Sequence, residues 1–204
     1  AEIAGIKEIS CDSVLLSSTD ETLLTIPIAS PDDPLTAFCI ERLLFDNILY
    51  ERAVESVKAN GGTLLKEKVS GVVVESDVVT GVRVKDKTYS AKLVVGADGF
   101  NGPVSRHVMG ETQQPKQNRN HYSSAVREYW EGVEGSEGQI EIHFIKGILP
   151  GYFWIFPLSD KRFNIGVGML LADMDNQSIK LKEMLDWVVN ESFLAERFSD
   201  AKAI

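Results

Sequence analysis

Tyr152-Phe153-Trp154-Ile155-Phe156-Pro157, followed eight residues later by Gly166-Val167-Gly168, decides how this chain is read. Alternate side chains of an extended strand share a face, so Tyr152, Trp154 and Phe156 make one aromatic stripe. Pro157 has no backbone N–H and marks where that strand must end or bulge. The glycines lie on a following strand, predicted over 164–171, and leave open space beside the rings. Two neighbouring strands with an aromatic face predict an antiparallel sheet, and the rest of the chain supplies more of it. Period-two runs continue at Ser123–Trp130 and Gln139–Ile145. A closing helix is expected over Ser178–Val189, with Leu181, Leu185 and Val188 on one face and Asn176 as its cap.

Upstream, apolar residues on both sides of Ser17-Ser18-Thr19-Asp20 predict a hairpin or short meander within residues 5–28. The segment Ser30-Pro31-Asp32-Asp33-Pro34 opposes any regular element. Ile40, Leu43, Leu44, Ile48, Ala53, Val54 and Val57 then recur at helical spacing, giving a helix over Ile40–Ala59 that Asn60-Gly61-Gly62 stops. Four short strands follow at Thr63–Lys68, Gly71–Glu75, Gly81–Lys85 and Thr88–Ala91. Leu93-Val94-Val95 reads as a strand buried on both faces, and it delivers Gly96-Ala97-Asp98-Gly99 to its carboxyl end. Residues 111–120 are polar and form a loop or crossover.

Composition narrows the function classes. The chain has 204 residues, 44% apolar and 25% charged, with 30 acidic against 21 basic side chains and a net charge of −9. That is globular composition with an acidic surface, which repels phosphate backbones and argues against nucleic-acid binding. No run is long enough to cross a bilayer as a helix, and the apolar stretch 23–29 lacks the basic flank of a signal peptide. Cys11 and Cys39 lack metal-ligand spacing and read as free buried thiols of a reducing, cytoplasmic setting. His107, His121 and His143 have no ligand spacing either, so no metal site is expected. Ser123 and Ser124 sit in no nucleophile elbow.

A carboxylate at the rim of a sheet can accept two hydrogen bonds from a ribose diol, and flanking glycines let a backbone approach a dinucleotide. Asp98 and Gly99 fit that task. About fifty residues earlier, Arg42-Leu43-Leu44-Phe45-Asp46-Asn47-Ile48-Leu49 resembles the R-x-x-F-D-x-x-L helix of flavoproteins built like aromatic hydroxylases and halogenases. Together with Y-x-W-x-F-P and the paired glycines, it resembles the geranylgeranyl reductase family in particular. The resemblance implies that Arg42 faces FAD, that Asp98 contacts its ribose and that Val69 offers a backbone contact to adenine. It also implies that Tyr152, Trp154, Phe156, Pro157, Gly166 and Gly168 line a prenyl-chain site. One departure stands out: the family pattern continues G-A-D-G-x-x-S-x-V-R, whereas Gly102 replaces the serine here and Arg106 falls one place late.

The G-x-G-x-x-G that holds the FAD pyrophosphate in such proteins is absent from this sequence, as is the later G-D-A segment. The chain is therefore expected to be an internal fragment, inactive by itself and without bound FAD. The fold expected is α+β: residues 34–110 as the central part of an FAD-binding domain, with 1–33 and 111–204 as an antiparallel substrate-binding sheet with helices. The resemblance implies a parent reductase that saturates double bonds of a prenyl lipid, fed by an electron donor and in transient contact with membranes as a peripheral protein. A flavin monooxygenase or halogenase shares the R-x-x-F-D helix and the GADG. A non-catalytic lipid-binding module would need only the aromatic sheet. No residue is singled out as a proton donor or other catalytic group.

Overall fold

The computed structural model describes residues 9–28, 37–99, 101–110, 119–135, 138–159 and 161–204. In chain order its strands are β1 (Ile9–Cys11), β2 (Ser13–Ser17), β3 (Leu23–Pro27), β4 (Ala37–Cys39), β5 (Gly71–Glu75), β6 (Val78–Val84), β7 (Lys87–Ser90), β8 (Ser123–Glu131), β9 (Gln139–His143), β10 (Tyr152–Pro157), β11 (Arg162–Leu170) and β12 (Lys202–Ala203). Its helices are α1 (Arg42–Ala59), α2 (Pro103–Met109), α3 (Leu171–Gln177) and α4 (Leu181–Glu191). This is the expected α+β content. Two units separate: Ala1–Arg52 with Asn120–Ile204, and Ala53–Arg119.

The first unit is organised by a seven-stranded sheet in the order β12-β8-β11-β10-β9-β2-β3. The β10–β11 hairpin sits near its middle, with Trp154 opposite Gly166 and Tyr152 opposite Gly168. Its pairings are antiparallel except for β2 with β9, where Ser17 lies beside His143. Period-two alternation divides the sheet into two faces. Phe153, Ile155, Ile165 and Val167 point to one face and are wholly buried, packed with Leu185 and Val188 of α4. Each such side chain contributes about 1.5–3 kcal/mol by leaving water. Leu181, Leu185, Val188 and Val189 form the buried stripe of α4, at the spacing that a helix lying on a sheet requires. The other face carries Tyr152, Trp154 and Phe156. At its Phe156 end it is overlaid by the small β1–β4 pair, where Cys11, Cys39 and Leu158 pack with Tyr129, Ile140 and Phe156.

Several expectations shift here. The closing helix starts at Leu181 rather than Ser178, and Asn176 lies inside the separate helix α3. Ser178, expected to begin that helix, instead ends α3 in a left-handed conformation with φ 54°. The β2–β3 hairpin forms about the expected turn, where the Asp20 carboxylate accepts hydrogen bonds from the Ser18 hydroxyl and the Thr22 N–H. The expected punctuator at Ser30–Pro34 and most of the expected loop at 111–120 lie outside the described residues.

The second unit holds the β5-β6-β7 meander, with α2 against β5. Gly81 in β6 is required by packing, because a Cβ there would stand 2.3 Å from the Tyr89 carbonyl oxygen. Two predicted strands do not form. Residues 63–69 are irregular, and the ladder begins only where the Ser70 N–H reaches the Arg83 carbonyl at 2.8 Å. Leu93-Val94-Val95 is likewise irregular, with Leu93 and Val95 each 77% exposed rather than buried on both faces. A strand exists only by hydrogen bonding to a neighbour. Among the described residues neither segment has a strand beside it. Helix α1 shows the same lack: it forms as read, yet none of its residues is buried and Leu43 is 79% exposed.

Candidate functional site

Three rings stand in line along β10. Tyr152 and Trp154 have ring centroids 6.1 Å apart, and Trp154 and Phe156 are 6.0 Å apart. Phe144, just beyond β9, meets Tyr152 edge-on at 6.3 Å and lengthens the row. The indole is held in place from below and from the side. Its Nε1–H donates to Asn164 Oδ1 at 3.1 Å across the β10–β11 pair. Its six-membered ring lies over Gly166, where a Cβ would come within 2.3 Å of Trp154 Cζ2 and 2.4 Å of the Val126 carbonyl oxygen. Gly166 therefore makes room for Trp154 itself. Gly168 is less crowded, its nearest neighbour being the Ala125 Cβ at 3.3 Å from a built Cβ. Pro157 is the last residue of β10, opposite Phe163, and it closes the strand as read. The sheet thus brings five of the six predicted wall residues onto one face, while Pro157 alternates to the opposite face and is fully buried against the core.

Beneath this wall, on the buried face, lies a polar chain that the sequence reading missed. Ser17 Oγ is 2.9 Å from His143 Nδ1, and His143 Nε2 is 2.9 Å from Glu141 Oε2. The Arg197 guanidinium donates twice to the same carboxylate, at 2.7 and 2.8 Å. A carboxylate only accepts, so Nε2 carries the hydrogen; in the neutral ring the Ser17 hydroxyl donates to Nδ1. The order serine, imidazole, carboxylate resembles a nucleophile triad. Ser17 and Glu141 are fully buried and His143 is 1% exposed, so no substrate reaches the hydroxyl. The chain instead ties β2, β9 and the 3-10 turn Ala195–Phe198 into one block.

The predicted cofactor residues divide between the units. Arg42, exposed at the start of α1, forks onto Asp46 with two contacts of 3.1 Å. In the second unit Asp98 accepts the N–H of Val104 at 2.8 Å and of Ser105 at 3.2 Å, so its carboxylate caps α2. Gly102 explains the departure from the family pattern. A Cβ there would fall 2.0 Å from the Asp98 carboxyl carbon, so the carboxylate occupies the space a serine would need. Gly99 turns the chain with φ 68°, and Val69 is half-buried just before β5. A guanidinium has five N–H donors and a carboxylate about four acceptor positions, so Arg42 and Asp98 each keep capacity for a dinucleotide. In that respect the residues fit FAD.

The two thiols lie over the Phe156 end of the wall. Cys11 Sγ and Cys39 Sγ are 3.7 Å apart, both buried and free. Burial pushes the Cys39 thiol up to about 12, with Cys11 adding to the effect, and burial raises Cys11 as well. No helix among the described residues is long and apolar enough to cross a membrane.

The chain is similar to several known proteins. Residues 121–204 match the geranylgeranyl reductase catalytic domain. A digeranylgeranylglycerophospholipid reductase of Methanosarcina acetivorans is 30% identical over 173 residues, which cover 82% of this chain and 40% of that protein. Digeranylgeranylglycerophospholipid reductase 1 of Methanococcoides burtonii is 30% identical over 138 residues, covering 65% of this chain and 32% of that protein. This chain thus spans well under half the length of these relatives. Among solved structures, a geranylgeranyl bacteriochlorophyll reductase-like protein of Thermoplasma acidophilum superposes with a TM-score of 0.66 at 18% identity, over 96% of this chain and 48% of that one. The flavin-dependent brominase Bmp2 gives 0.69, also at 18%, over 98% of this chain and 49% of that one. The structural likenesses show the flavoprotein fold, which reductase and brominase share. With the aromatic and glycine motif on one sheet face and the catalytic-domain match over β8 to β12 of that sheet, residues 121–204 belong to the geranylgeranyl reductase catalytic domain family.

Proposed function

We propose that this chain forms the prenyl-binding sheet and part of the FAD site of a reductase that saturates double bonds in a prenyl lipid. The observation that carries the reading is the aromatic row Tyr152–Trp154–Phe156 on the face of the sheet opposite the buried core, with the β1–β4 pair over its Phe156 end. Rings at this spacing offer a long, mainly apolar contact; the indole N–H is taken by Asn164, and the Tyr152 hydroxyl sits at the exposed end of the row. An alkene chain laid on such a wall is desolvated and held straight, and the wall excludes water from it. In the second unit Asp98 would accept hydrogen bonds from a ribose diol, with Val69 and Gly99 giving backbone contact; in the first unit Arg42 would offer its guanidinium to the cofactor. FAD, when bound and reduced, supplies the hydride equivalent. The relatives' name, digeranylgeranylglycerophospholipid reductase, sets the chemical class. A cytoplasmic protein that visits the membrane surface to reach its lipid, and a separate electron donor, complete the reading.

Two measurements test it. A geranylgeranyl lipid titrated into this chain should quench the emission of Trp154 and leave a Trp154→Phe variant unquenched. In the complete polypeptide, anaerobic incubation with FAD, dithionite and the lipid should add one H2 per double bond, read by mass spectrometry. Conversion that occurs only with oxygen would replace the reductase by a monooxygenase or halogenase. Flavin content unchanged by Arg42→Ala and Asp98→Ala in that polypeptide would leave a lipid-binding module without a flavin role.

A further inference from the structure

The register of the sheet extends the aromatic wall well beyond β10. Arg127 pairs with Gly166, Gly166 with Trp154, Trp154 with Ile142, Ile142 with Leu16 and Leu16 with Leu24. Directly paired residues share a face, so these six positions form one row across β8, β11, β10, β9, β2 and β3. Five inter-strand steps of about 4.8 Å make the row roughly 24 Å long. From Trp154 outward it is purely apolar: Ile142 and Leu16 are half-buried, and Leu24 on the edge strand is 57% exposed. At the opposite end Arg127 is exposed, its guanidinium carbon 4.7 Å from the centroid of the Tyr129 ring, and none of its contacts is an ion pair with a described residue. The β1–β4 pair overlies the neighbouring row at Phe156 and Ile140. Trp154, Ile142 and Leu16 are not part of that cluster and each keeps part of its surface in solvent.

We propose that this row is a directional track for one extended prenyl chain, with its anionic end at Arg127 and its apolar tail running over Trp154, Ile142 and Leu16 to Leu24. This rests on the prenyl-lipid reading and adds an orientation, a length and an anchor. A guanidinium stacked on Tyr129 keeps its N–H edge free for a phosphate or diphosphate oxygen. A chain laid across strands crosses one side chain per step, so tail length is read strand by strand. A short chain stops on Trp154 and Ile142, while a long one reaches the edge strand.

The test uses this chain with geranylgeranyl diphosphate, geranyl diphosphate and geranylgeraniol as probes, with affinity read from Trp154 quenching. Leu24→Asp lies on an exposed edge position and should not disturb folding, checked by circular dichroism. It should weaken geranylgeranyl diphosphate about ten- to hundredfold, the loss of one buried leucine contact, and leave geranyl diphosphate within about twofold. Arg127→Met should weaken both diphosphates about tenfold or more and leave geranylgeraniol unchanged. If all three probes bind but Leu24→Asp affects neither diphosphate, or both equally, the track is wrong while the prenyl reading stands. If Arg127→Met is silent, the orientation is wrong. If none of the probes binds, the prenyl reading falls and the track with it. A chain that dimerises in solution and becomes monomeric with Leu24→Asp, with prenyl affinity unchanged, would assign this row to a subunit interface instead.

Discussion

Replacing Glu141 by alanine should destabilise the first unit more than any single loss on the aromatic wall. Glu141 is fully buried and accepts two hydrogen bonds from Arg197 and one from His143, which in turn holds Ser17. Hydrogen bonds to a charged group contribute about 1.5–3 kcal/mol each, so removing three bounds the loss near 4.5–9 kcal/mol. The actual loss is smaller, because the Arg197 side chain keeps 21% of its surface in water and recovers part of its hydration. His143 recovers almost none. Breaking a buried ion pair by removing one partner costs about 3–5 kcal/mol, and that range is expected here. Urea unfolding followed by far-ultraviolet circular dichroism would give the change as a shift in midpoint. Arg197→Met in the Glu141→Ala background should restore part of the stability, since it removes the stranded cation. A Glu141→Ala loss below about 1 kcal/mol, or no coupling in the double-mutant cycle, would refute the claim that this network clamps β2, β9 and the Ala195–Phe198 turn together.

Gly166→Ala forces its methyl into Trp154 and the Val126 carbonyl oxygen, so it should cost about 1–3 kcal/mol and shift the Trp154 emission, measured by thermal melting and fluorescence. Gly168→Ala, with neighbours at 3.3 Å or more, should cost clearly less. Asp98→Ala removes the cap of α2 and should lower its local stability by about 0.5–2 kcal/mol, seen as faster amide exchange over residues 103–109. With its thiol held up at about 12 against an ordinary 9.0, Cys39 stays protonated and should resist iodoacetamide at pH 8 until urea is added, read by intact mass. The sign follows for stability: the contribution of Cys39 is complete below about pH 9 and declines as pH rises toward 12, because the unfolded chain ionises first.

The sheet was legible in the sequence because its strands obey period two and carry aromatic and β-branched residues; β8, β9, β10 and β11 all fall where the alternation put them. The pairing that completes it, parallel β2 beside β9, joins residues more than a hundred positions apart and leaves no local trace. The buried network was hidden for a related reason. In Gln139-Ile140-Glu141-Ile142-His143 alternation alone would turn the isoleucines inward, yet Glu141 and His143 face the core, because Arg197 and Ser17 arrive there from distant segments to satisfy them. Residues 93–95 failed in the opposite way. Their composition suits a buried strand, but a strand also needs a neighbour's hydrogen bonds, and composition does not say whether one is present.

That reversal at β9 has a functional consequence. One strand's alternation assigns Glu141 and His143 to holding the sheet together and Ile140 and Ile142 to its other surface, and β2 does the same with Ser17 against Leu16. Stability and the proposed prenyl contact therefore fall on alternate positions of the same strands. A change at Ile142 or Leu16 alters the apolar track while the clamp beneath it stays intact, and a change at Glu141 or Ser17 loosens the sheet without touching the track. The separation holds only while the β2–β9 register holds, since a slip of one residue would exchange the two sets. The Ser17–His143 hydrogen bond joins directly paired residues of the two strands, so it forms in this register alone. On this view the buried serine and histidine keep the apolar side chains of neighbouring strands in line, and a straight row is what an extended prenyl chain requires.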